Sequence, residues 1–74
     1  MGRAGRALKQ VLKEYNISQY QLAAMMQVDR SNISRWVSEE RDPSAEAVYE
    51  IQEALKQLNA EAAKAFIALY LGND

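Results

Sequence analysis

Apolar side chains recur at spacings of three and four along most of the chain, and nowhere do apolar and polar residues alternate with β-branched enrichment. Leu8, Val11, Leu12 and Tyr15 form the first such stripe and predict an amphipathic helix over residues 3–14. Ser18 and Gln21 fit the S-x-x-Q capping box, in which hydroxyl and amide satisfy N–H groups that a first helical turn leaves orphaned. A second helix therefore starts at 18 or 19, turns Leu22, Ala23 and Met26 inward, and ends near Met26. Asp29 suits the N-cap of a third helix, 30 to about 38, because a carboxylate there accepts backbone N–H groups at the positive end of the dipole. Asp42 as cap and Pro43 at the first helical position predict a fourth helix with the stripe Val48, Ile51, Leu55 and Leu58. Asn59 caps a fifth, about 60–71, with Glu61 in its first turn and Gly72 at its C-cap. The fold class is all-α: five helices and no sheet.

Only Gln27 and Val28 separate the second helix from the cap of the third. Two short helices joined by so tight a turn cannot lie antiparallel; they cross steeply, as in a helix-turn-helix. In the third helix, Ile33, Trp36 and Val37 share one side, while Arg30, Ser31, Ser34 and Arg35 occupy the other. That outer set consists of hydrogen-bond donors with no acidic member, a surface arranged to meet something negative.

Length and composition narrow the reading. A chain of 74 residues forms one small domain, 1–74, with the motif at about 18–38 and the fifth helix as a C-terminal extension. With neither Cys nor His, a disulfide or zinc staple is not expected, nor a metal or other cofactor. The absence of those residues, and of a glycine-rich loop, also leaves no nucleophile–base pair from which to assemble an enzyme. The longest apolar run, residues 65–71, is far short of the ~20 needed to span a bilayer. The N-terminal stretch lacks the apolar core of a signal peptide, so a cytoplasmic protein without a membrane partner is expected. Net charge is −1, but its distribution is uneven: residues 1–41 carry +3 and residues 42–74 carry −4. A polyanion-binding front half is compatible with this.

The stretch SQYQLAAMMQVDRSNISRWV followed by RDPSAEAVYEIQEAL resembles the lambda-repressor-like (Cro/XRE-type) helix-turn-helix domain over about residues 6–58. The agreement is spread over Gln19, Leu22–Ala23, Val28, Ile33-Ser34-x-Trp36, Pro43–Ser44, Ile51 and Ala54–Leu55. Two positions depart from the family. Gln27 stands where it usually has Gly, at a cost of about 1 kcal/mol if the turn is left-handed. The loop after the third helix reads Ser38-Glu39-Glu40, two carboxylates where the family is often basic or glycine-containing.

The resemblance implies a compact five-helix domain that places the first half of its third helix in the major groove of double-stranded DNA. Arg30, Ser31, Ser34 and Arg35 then become the candidate base readers, Arg suiting guanine O6 and N7 with two donors. Gln19, Asn32, Ser38, Arg41 and Arg6 become the candidate phosphate contacts. Arg3, Arg6 and Lys9 are expected either as a basic arm or as a solvated, disordered start. All six aromatics, Tyr20 included, are read first as core or interface. A palindromic site needs a two-fold dimer, and the surplus apolar surface of Phe66, Ile67, Tyr70 and Leu71 supplies a candidate homodimer interface; the alternative is that the fifth helix closes a monomer core. The functional expectation is a sequence-specific transcriptional regulator. A protein-interaction module, such as the antitoxin-like half of a toxin–antitoxin pair or a co-regulator with a protein partner, stands beside it on the strength of the acidic second half.

Overall fold

A computed structural model describes residues 3–72 as five α-helices, with no strand among the described residues. They are α1 (Arg3–Glu14), α2 (Gln19–Met26), α3 (Arg30–Val37), α4 (Ala45–Leu58) and α5 (Ala60–Leu71). The N-terminal segment is neither arm nor coil: α1 already includes Arg3 and Arg6, and its buried side runs Ala4, Gly5, Ala7, Leu8, Val11 and Leu12. That stripe packs against α5 on one flank and α3 on the other, while α4 bridges α2 and α5. The core that results is centred on Leu8, Val11, Leu22, Ile33, Ile51, Leu55 and Phe66, all without solvent exposure.

The caps explain where the helices begin. The Ser18 box forms as expected: Ser18 N–H donates to Gln21 Oε1 at 2.8 Å, and Gln21 N–H to Ser18 Oγ at 3.0 Å. Asn59 serves twice, ending α4 and accepting the Glu61 and Ala62 N–H groups of α5. One start differs from expectation. The fourth helix is capped by Ser44, whose Oγ accepts from Ala47 N–H at 3.1 Å, and not by Asp42 with Pro43 inside the helix. Two start signals overlap here, and the Ser44 hydroxyl is the one that meets a free N–H of the first turn. Pro43 is half-buried outside the helix, in a cleft with Ala4, Tyr70 and Leu71 at the ends of α1 and α5.

The ends of α1, α2 and α3 follow a single rule. Asn16, Gln27 and Glu39, with φ of 57°, 59° and 66°, are the three non-glycine residues in the left-handed region among the described residues. Each closes a Schellman motif. Ile17 N–H donates to Leu12 O at 2.9 Å, Val28 N–H to Ala23 O at 3.0 Å and Glu40 N–H to Arg35 O at 3.0 Å, with the shorter-range bond inside each loop also present. In the first two, an apolar residue beyond the turn (Ile17, Val28) folds back onto the core. The third has Glu40 there and lacks that clasp. Another contact holds α3 in place: α1 crosses it so closely at Gly5 that a Cβ would overlap the Trp36 carbonyl oxygen.

Candidate nucleic-acid interface

Helix α3 displays its outer residues from a fixed base. Ile33 is fully buried, Trp36 and Val37 pack half-buried against the core, and Arg30, Ser31 and Arg35 are exposed with Ser34 beside them half-exposed. The four outer positions fall one helical turn apart in two pairs, so they share one stripe. Asp29 caps the helix, its Oδ1 accepting Ser31 N–H at 3.0 Å. That bond, then the Ser31 hydroxyl, then the charges of Arg30 and Arg35, hold the Asp29 carboxyl below its ordinary value. The stripe thus has an anion at its foot, oriented by the backbone and felt by both arginines.

Of the two places expected for Tyr20, core or interface, the fold excludes the core: the residue is 69% exposed, and the Arg30 guanidinium carbon lies 4.7 Å from its ring centroid. Its position in the first turn of α2, beside the tight turn to α3, is the sequence signal for this contact.

The candidate phosphate contacts scatter more than the stripe does. Gln19 opens α2, half-buried, next to the capping box. Asn32 and Arg41 come together in one groove of about 350 Å³ between α3 and the start of α4, lined also by Trp36 and Ser44. Ser38 ends α3, and its hydroxyl already donates to Arg35 O at 3.2 Å, so in this arrangement it has no proton to offer a phosphate. Arg6 lies with Arg3, Gln10 and Leu69 in the α1–α5 groove, among neighbours that belong to neither helix of the turn motif.

The proposed interface residues divide. Phe66 is 0% exposed and stacks on Tyr70 at 6.3 Å, so it belongs to the chain's own core and has no surface for a second copy. Position 66 faces α1 and α4, the helices that α5 covers. Leu71 is 58% exposed, and with Ile67, Ala63 and Ala68 it lines an apolar groove of about 520 Å³ beside α4, rimmed by Lys56 and Lys64. Tyr70 is half-buried at the cleft with Pro43.

Among the described residues no cluster of His, Cys, Asp and Glu could hold a metal ion, and no helix is long and apolar enough to cross a membrane. Comparison with curated proteins and with solved structures found no match. A family model for the helix-turn-helix of the Cro/C1 type matches residues 8–61, from the buried stripe of α1 to the first turn of α5. With α2 and α3 joined by a left-handed turn at Gln27 and a donor stripe held outward on α3, the chain belongs to the Cro/C1-type (XRE, lambda-repressor-like) helix-turn-helix family of DNA-binding domains.

Proposed function

We propose that this DNA-binding regulator reads a specific duplex sequence by inserting α3 into the major groove, with Arg30, Ser31, Ser34 and Arg35 at base edges and Gln19, Asn32 and Arg41 on phosphates. One observation carries the reading. The outer stripe of α3 is exposed on a helix whose other side is locked by buried Ile33 and by the Gly5–Trp36 approach, so the helix that carries the donors is held in place. Two copies joined across the Ile67–Leu71 side of α5 form the symmetric unit. Half-sites one helical turn apart require two α3 helices about 34 Å from each other. The longest dimension of the chain is 30 Å, so each α3 must lie off the two-fold axis. A contact through α5 is compatible with this, since α3 and α5 each pack on α1.

The test is selection from a randomised duplex library with the wild type and with Arg30→Ala/Arg35→Ala. Enrichment of a palindrome with half-sites about 10 bp apart, lost in the double variant, supports the reading. A protein-interaction role draws support from Glu39 and Glu40, exposed at the end of α3. A wild type that enriches no motif would favour it.

A further inference from the structure

We infer that Tyr20 is a positioning residue for Arg30, and that through this contact it sets how sharply the α3 surface discriminates the base pair that Arg30 faces. The inference rests on the groove-reading role of α3 proposed above.

Arg30 is the first residue of α3 and is exposed. Left alone, its long side chain would sample many rotamers, and a carboxylate sits directly before it at Asp29. The 4.7 Å approach to the Tyr20 ring removes much of that freedom, because a planar cation over an aromatic face is both attracted and oriented. The platform itself is fixed. Tyr20 lies between the two partners of the capping box, Ser18 and Gln21, whose reciprocal bonds of 2.8 and 3.0 Å define the first turn of α2. Asp29 has a duty of its own as the cap of α3, its Oδ1 accepting Ser31 N–H, and acts on Arg30 through its charge. The Tyr20 side chain contributes little to the core: the residue stays 69% exposed even with the cation against it. A large exposed aromatic whose ordered contact is a candidate base reader is explained by that reader and not by packing. Preorganisation of this kind strengthens the correct pairing without adding a contact to DNA.

The experiment compares the wild type with Tyr20→Phe, Tyr20→Ala, Arg30→Ala and Tyr20→Ala/Arg30→Ala in duplex-library selection and in titrations on the selected site at fixed salt. Tyr20→Ala is expected to weaken specific binding about two- to fivefold and to relax preference at the base pair that Arg30→Ala relaxes, leaving other positions unchanged. Tyr20→Phe, which keeps the ring, restores both, and the double variant binds no worse than Arg30→Ala alone. Three results would overturn the inference: an unchanged base profile in Tyr20→Ala, a Phe variant as weak as the Ala variant (a hydroxyl–phosphate contact), or losses that multiply in the double variant. If Arg30→Ala shifts the selected motif and Tyr20→Ala does not, only the Tyr20 role fails. If the wild type selects nothing, the groove-reading proposal fails and takes the Tyr20 role with it. Thermal unfolding of each variant separates these outcomes from loss of fold, and a Tyr20→Ala midpoint well below that of wild type would also count against a positioning role.

Discussion

At the scale of single residues, the cost of left-handed backbone is concentrated where the helices end. Asn tolerates that conformation, Gln and Glu do so poorly, and the chain has Gln27 and Glu39 at two of the three sites. Gln27→Gly is expected to stabilise the fold by about 1 kcal/mol, read as a rise in the urea midpoint at unchanged slope. The Asp29 carboxyl gives a pH signature. Its value is lowered in the folded chain, chiefly by the Ser31 N–H bond. The stability it confers is therefore present above the ordinary aspartate value of 3.8 and is lost as pH falls through the lowered one. Asp29→Asn keeps an acceptor at the cap and removes the titration, so its unfolding midpoint should fall less steeply below about pH 4 than that of wild type. Equal acid slopes in the two proteins would show that the bond to Ser31 does not depend on the charge.

At the scale of elements, the periodic positions were the legible part. All five helices lie where apolar spacing puts them, and the S-x-x-Q box and the Asn59 cap of α5 form as their residue types require. Less legible were features whose cause lies in another element. The start of α4 lies at Ser44 and not at Asp42, with Pro43 half-buried ahead of the helix in a cleft at the ends of α1 and α5, a placement that spacing within one helix cannot reveal. Ser44→Ala should cost about 1 kcal/mol in chemical unfolding, with Asp42→Ala well below that; the reverse order would restore Asp42 as the cap. Gly5 was similarly opaque. Glycine inside a helix is unfavourable by itself, and its reason appears only when α3 is brought against it. Gly5→Ala should destabilise by about 2–3 kcal/mol despite the better helix propensity of alanine, since the obstructing atom is backbone. In the candidate interface, the α3 stripe followed from periodicity within one helix. The Tyr20–Arg30 contact required knowing how α2 and α3 cross, and the Ser38 bond to Arg35 O required knowing how α3 ends.

At the scale of the whole molecule, α5 has two apolar sides with different fates. The Phe66 side completes the core, while the Ile67–Leu71 side remains open as a groove. A helix apolar on most of its circumference is normally covered. Leu71→Glu is expected to leave the unfolding midpoint nearly unchanged, to shift sedimentation from dimer to monomer, and to abolish preference for a two-half-site duplex over a single half-site. A Leu71→Glu protein that sediments and binds as wild type does would refute the interface. With Phe66 buried within one chain, the proposed dimer would leave the core of each copy complete, so folding and assembly should separate on dilution. Promoter occupancy would then rise with the square of the protein level while dimers are scarce. A gene controlled in this way would respond as a threshold, set by how much protein the cell makes and how fast growth dilutes it.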